Sequence, residues 1–170
     1  MSSIEHKQQA PQSIRCMVIT VSDTRSVDTD KSGALMKELL QEAGHVIEDY
    51  RIVKDERLAI HDAIVTGSHN RDVDVILLNG GTGIAKRDVT IETVQELLDK
   101  EMYGFGEIFR MLSYTEDIGS SAILSRAIAG VCHDTAVFST PGSTGAVKLA
   151  MNKLILPELG HVVREIRKDL

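Results

Sequence analysis

Two aspartates and a run of glycines hold the chemistry of this sequence. The stretch Asn79-Gly80-Gly81-Thr82-Gly83-Ile84-Ala85-Lys86-Arg87-Asp88-Val89-Thr90 combines glycines, hydroxyls, two cations and one carboxylate. Glycine lets the backbone turn through positive φ and lets another molecule come close. A loop of this kind that ends at a helix N-terminus suits an anion, because free N–H groups and the helix dipole face it. Asp55 lies in an earlier loop and supplies a second acidic group. Asp55 and Asp88 together suit Mg²⁺, a hard ion that takes one or two carboxylates along with phosphate oxygens and water. The chemistry such a set suits is the handling of metal-bound phosphate. Two common nucleotide fingerprints are not met. The G-x-x-x-x-G-K-[ST] spacing is missing, and Lys86 stands where G-x-G-x-x-G needs its third glycine.

The elements around these residues can be read from periodicity. Val73 to Leu78 is a short apolar run that predicts a buried strand, and Ile91, Val94, Leu97 and Leu98 leave the loop at helical spacing. Ile14 to Val21 predicts the first strand, followed by a polar loop from Ser22 to Gly33. Asp30 or Ser32 can cap the next helix, whose buried face holds Leu35, Leu39 and Leu40, and Gly44 stops it. Val46 to Val53 reads as a second strand and Leu58 to Thr66 as a second helix, ended by Gly67-Ser68-His69-Asn70. A third helix is expected from about Val89 to Lys100.

This alternation argues for an α/β fold with a mainly parallel sheet and helices on both faces. Ser125 to Val131 and Thr135 to Thr140 read as an antiparallel hairpin at the sheet edge. Pro141-Gly142-Ser143 is then a tight loop opening a helix with Val147, Met151, Leu154 and Ile155 apolar, and Pro157 starts a last helix. In a parallel sheet the loops after the strands share one edge, where ligands bind. Ser22 to Ser32, Lys54 to Glu56, Asn79 to Thr90 and Ser139 to Gly145 can therefore meet.

Composition bounds the rest. The 170 residues suit a single domain at 14–170 behind a tail or arm at 1–13. Hydrophobic residues make up 42% and charged residues 26%, values of a folded globular chain. A net charge of −6 and the lack of any basic stripe argue against nucleic acid as a partner. No apolar run is long enough for a membrane span, and the polar start lacks a signal-peptide core, so a cytoplasmic protein is expected. Cys16 and Cys132 sit in apolar runs and read as buried free thiols.

The ordered motifs resemble the MoaB/MogA family of molybdenum-cofactor biosynthesis proteins. They are Val21-Ser22-Asp23, Ser32-Gly33, G-G-T-G followed by R-D-V-T, Gly104-Phe105-Gly106-Glu107-Ile108-Phe109-Arg110, Ser125-Arg126-Ala127 and Pro141-Gly142-Ser143. Together they span about Arg15 to Leu159, and the F-G-E-I-F-R-M-L-S segment points to the MoaB side of the family. The resemblance implies a three-layer α/β sandwich, a trimer or trimer-based hexamer, and a molybdopterin pocket. In active members it also implies adenylylation of molybdopterin with ATP and Mg²⁺; the alternative is a non-catalytic molybdopterin-binding or assembly protein. Carried over by motif, Gly80, Gly81, Thr82 and Gly83 would hold phosphate, with Thr90 among the cofactor-binding residues. Asp88 and Asp55 would serve catalysis and the metal. Ser22, Asp23, Pro141, Gly142 and Ser143 would line the pterin-phosphate pocket, with Glu107 on its wall.

The residues themselves leave other readings open. Asp88, Asp55 and Thr90 also suit helix capping, and Pro141-Gly142-Ser143 also suits an ordinary strand-to-helix turn. Glu107 also suits a solvated or interface carboxylate, and the aromatic-rich stretch 103–114 reads as core or subunit interface. Lys86 and Arg87 read equally as surface charges or phosphate contacts.

Overall fold

The structure, a computed structural model, describes residues 2–8 and 10–170. The elements in chain order are α1 (Ser3–Gln8), β1 (Arg15–Val21), α2 (Lys31–Glu42), β2 (Val46–Val53), α3 (Arg57–His69), β3 (Val75–Asn79) and α4 (Thr90–Leu97). They continue with β4 (Lys100–Glu101), α5 (Tyr103–Glu116), a 3₁₀ turn (Gly119–Leu124), β5 (Ile128–Cys132) and β6 (Thr135–Thr140). The chain closes with α6 (Thr144–Ala150), a π-helical stretch (Met151–Ile155) and α7 (Leu156–Arg167). The six strands form one sheet in the order β2-β1-β3-β6-β5-β4. β2, β1, β3 and β6 run parallel, while β5 is antiparallel to both β6 and β4. No helix among the described residues is long and apolar enough to cross a membrane.

Alternation along the parallel strands makes two cores. Cys16, Val18, Val75, Leu77, Ala136 and Phe138 face α2, α5, α6 and α7 on one side. Met17, Ile19, Ile76, Leu78 and Val137 face α3 and α4 on the other. The result is a helix–sheet–helix sandwich with both faces of the sheet covered. Both cysteines are fully buried free thiols, and burial pushes the Cys16 thiol up to about 12.

Several local details differ from the sequence expectation, each for a physical reason. Gly67 and Ser68 do not end α3, which runs on to His69. A Cβ on Gly67 would lie 2.5 Å from Met17 Sδ and 2.9 Å from Ile76 Cδ1, so this glycine lets the helix lie close on the sheet. Strand β5 begins at Ile128, because residues 119–124 form a 3₁₀ turn before it. Helix α4 stops at Leu97, and Lys100-Glu101 pair outside β5 as an extra edge strand. The residues from Thr144 to Arg167 form one helical run with a widened turn just before Pro157, which has no N–H to donate. The expected tail includes α1, and Ala10 and Pro11 abut Gly160 of α7.

The carboxyl edge of the sheet is polar. Thr20, Asn79 and Thr140 are in register across β1, β3 and β6, and all three are fully buried. Asn79 Nδ2 donates to Thr20 Oγ1 at 3.0 Å, and Thr20 Oγ1 donates to Asp30 Oδ2 at 2.6 Å. This row forms the floor on which the strand-end loops rest.

Candidate functional site

A cleft of about 570 Å³ opens over that row. Its walls come from the loops after β1, β2, β3 and β6, as expected for the carboxyl edge of a parallel sheet, together with the 3₁₀ turn. Of the expected site residues, Ser22, Asp55, Gly80, Gly81, Thr82, Gly83, Asp88, Pro141 and Gly142 line it. Asp23 lies at its rim, where its Oδ1 accepts the Asp55 backbone N–H at 3.1 Å. Ser143 is the N-cap of α6, its Oγ accepting from Ala146 N at 3.1 Å. Glu107 is exposed on α5 and does not line the cleft.

The glycine loop is built for close approach. Gly80 and Gly81 have φ of +99° and +66°, a region that disfavours any side chain. A Cβ on Gly80 would lie 2.2 Å from Val21 O. One on Gly81 would lie 2.2 Å from Thr90 Oγ1 and 2.8 Å from Asp55 Oδ1. The Thr90 hydroxyl is fully buried and has no hydrogen-bond partner among the described residues. The loop is closed by Thr90 N donating to Gly81 O at 3.0 Å. Asp88 does not cap α4: Val89 stands at the cap position, and Asp88 Oδ2 accepts from Ala85 N at 3.0 Å inside the loop. Nor does Asp55 cap α3, where Glu56 holds the cap position without a side-chain bond.

Three carboxylates gather here. Burial first, then the charges of Asp23 and Asp88, push the Asp55 carboxyl above the usual carboxylate range. Arg87 offsets part of this, donating from Nε and Nη2 to Asp23 at 2.8 and 3.0 Å. Lys86 and Arg87 are both exposed. Among the described residues, no group of three or more His, Cys, Asp or Glu side chains is arranged to hold a metal ion alone. A cation here would rest on Asp55, Asp88 and oxygens of a ligand or water, a donor set that fits Mg²⁺ carried by phosphates.

Sequence reasoning did not assign roles to two arginines. Arg126 donates to the carbonyls of Thr82 at 3.0 Å and Gly83 at 2.6 Å, and it pairs with Glu92 of α4. It ties the glycine loop to the helix that follows. Arg25 lines the cleft and donates from Nη2 to Gly142 O at 3.0 Å. The motif containing Arg126 was legible; its target was not, because the loop lies more than forty positions away in sequence. Asn79 turns its side chain inward, accepting from Ser32 Oγ at 2.9 Å, and so belongs to the floor.

Comparison with known proteins gives this geometry a family. A family model described as "Probable molybdopterin binding domain" matches residues 17–161. The chain is 68% identical over 169 residues to molybdenum cofactor biosynthesis protein B of Bacillus subtilis (strain 168), covering 99% of each. A crystal structure of molybdenum cofactor biosynthesis protein B is 63% identical with a TM-score of 0.92, covering 94% of this chain and 99% of that one. A tungsten cofactor synthesizing protein MoaB from Pyrococcus furiosus is 38% identical with a TM-score of 0.78, covering 93% and 99%. The chain therefore belongs to the molybdenum cofactor biosynthesis protein B (MoaB) family, built on the MogA-like α/β fold of the molybdopterin-binding domain.

Proposed function

We propose that this protein binds molybdopterin and adenylylates it with MgATP, acting in the cytoplasm. The observation that carries this reading is the convergence of Asp55, Asp88 and the unpartnered Thr90 hydroxyl on the bare backbone of Gly81 and Gly83. In the reaction, a phosphate oxygen of molybdopterin attacks the α-phosphorus of ATP. The new O–P bond forms as the α–β bridge breaks, and pyrophosphate leaves. Asp55 and Asp88 would hold Mg²⁺, which would supply neutralisation of phosphate charge, and the Gly80–Gly83 backbone would seat phosphate oxygens. Thr90 Oγ1 has a donor to offer to one of them. Ser22, Asp23 and the turn at Pro141, Gly142 and Ser143 position the pterin phosphate. Alignment and charge stabilisation then supply the rate, with no covalent nucleophile on the protein.

The test is a direct assay of purified protein with molybdopterin, ATP and Mg²⁺, looking for the adenylylated product. Asp88→Asn should lower turnover about a hundredfold or more while leaving molybdopterin binding within about twofold. Unchanged turnover would remove Asp88 from this role. The second reading is a molybdopterin-binding or assembly protein without transfer. It is favoured by the engagement of Asp88 within its own loop, where Oδ2 accepts from Ala85 N. Folded protein that binds molybdopterin and forms no product would establish it in place of the first.

The assembly in this reading is a trimer or a trimer-based hexamer. An outward stripe on α5 supports self-association: Tyr103, Met111 and Tyr114 are exposed at helical spacing, with Ile118, Ile123 and Leu124 beyond them. Glu107 lies on the same stripe, so its part in this reading is at a pocket wall completed by a neighbouring copy or at the interface itself.

A further inference from the structure

Among the described residues, the cleft lining carries one cation. It is Arg25, the one lysine or arginine there, set against the carboxylates of Asp55 and Asp88. Its guanidinium is held in place. Nη2 donates to Gly142 O at 3.0 Å, Nη1 donates to Ser32 Oγ at 2.5 Å, and Nη1 lies 3.6 Å from Asp30 Oδ1. The Asp30 side chain is fully buried, and a third of the Arg25 side chain stays exposed. Asp30 is shared with other donors: Thr20 Oγ1, Tyr50 OH and Gly33 N all donate to it. Ser22 Oγ accepts the backbone N–H of Arg25 at 3.1 Å, so the turn that carries the arginine is also fixed.

Charges of both signs line the cleft. Asp55 and Asp88 stand beside Gly81 and Gly83. Arg25 stands next to Gly142, whose Cβ position lies 3.0 Å from Gly80 Cα and 3.7 Å from Arg25 Nη1. A pair of carboxylates attracts a metal-bound polyphosphate and repels a phosphate that has no metal. A guanidinium attracts a phosphate without any metal, and its planar fork matches two phosphate oxygens.

We propose that Arg25 receives the terminal phosphate monoester of the pterin ligand beside Gly142, orienting it toward the polyphosphate that the metal holds at Asp55 and Asp88. This rests on the reading that the ligand is molybdopterin. The assignment predicts a specificity, so calorimetric titration with molybdopterin and with its dephosphorylated form tests it. Wild-type protein should bind the phosphorylated form about tenfold tighter or more. Arg25→Gln should bring that ratio close to one, Arg25→Lys should keep part of it, and MgATP affinity should hold in both. Equal weakening toward both pterins, with the ratio intact, would overturn the assignment and leave Arg25 as a loop tether. If neither pterin binds wild-type protein, the functional reading fails, and phosphorus NMR of inorganic phosphate decides for Arg25 alone. Saturable line broadening in wild type that Arg25→Gln abolishes upholds the phosphate role; broadening equal in both, or none in wild type, overturns it.

Discussion

Gly81 is the residue at which backbone freedom and site chemistry meet. Its φ of +66° is open to glycine, and the space a methyl would fill is taken by Thr90 Oγ1 and Asp55 Oδ1. Gly81→Ala should therefore cost about 1–3 kcal/mol, read in calorimetry as a Tm lowered by roughly 3–10 °C. Any turnover should fall with it. Asp55 offers a test of sign. Its folded pKa lies above the unfolded one, so the native state holds the proton more tightly and stability falls as pH rises through that interval. Asp55→Asn should thus raise Tm at neutral pH, and the gain should vanish below the ordinary carboxylate range. A thermal-melt series against pH checks this; a gain that grows in acid would contradict it. The types and spacing of Asp55, Asp88 and Thr90 were legible along the chain. Their capping alternatives were not separable there, since a carboxylate before a helix looks the same whether it bonds the helix or its own loop.

At the scale of elements, the N-terminus of α2 ties the floor of the cleft together. Asp30 caps it, accepting from Gly33 N at 3.0 Å, and also accepts from Thr20 and Tyr50. Burial pushes the Asp30 carboxyl up, yet those hydrogen bonds and Arg25 together hold it below its ordinary value. Asp30→Ala removes a cap and leaves the buried Thr20 hydroxyl and the half-buried Tyr50 hydroxyl without this acceptor, a loss of about 2–4 kcal/mol in urea unfolding at neutral pH. A group with a depressed folded pKa stabilises above its unfolded pKa and stops doing so as pH falls through the folded one. The deficit of the variant should shrink in acid. Strand and helix order was readable from periodicity because each element repeats its pattern several times. Ends were less readable. Gly67 looks like a stop signal, but it is a contact surface for Met17 and Ile76, and that depends on which strand lies beneath.

For the whole molecule, the exposed apolar side chains of α5 are the surface that an assembly would cover. Tyr103, Met111 and Tyr114 are 70%, 57% and 60% exposed along one helix, a group of apolar side chains suited to an interaction surface. In the trimer-based assembly proposed above, Met111→Glu should preserve the melting profile and shift the light-scattering mass to that of a monomer. Wild-type protein that is monomeric at micromolar concentration would contradict the assembly itself.

The sequence by itself determined the alternation of strands and helices, the glycine loop at a strand end, and the order of motifs that identifies the family. Those are local properties: apolar period, glycine placement and short spacings survive without any long-range contact. The tertiary structure decided the electrostatics. Asp55 meets Asp23 and Asp88, Arg126 clamps Thr82 and Gly83, and Arg25 reaches Gly142 only because the parallel strands bring distant loops to one edge. Charge interactions depend on distance through space and on burial, and neither is written in the distance along the chain.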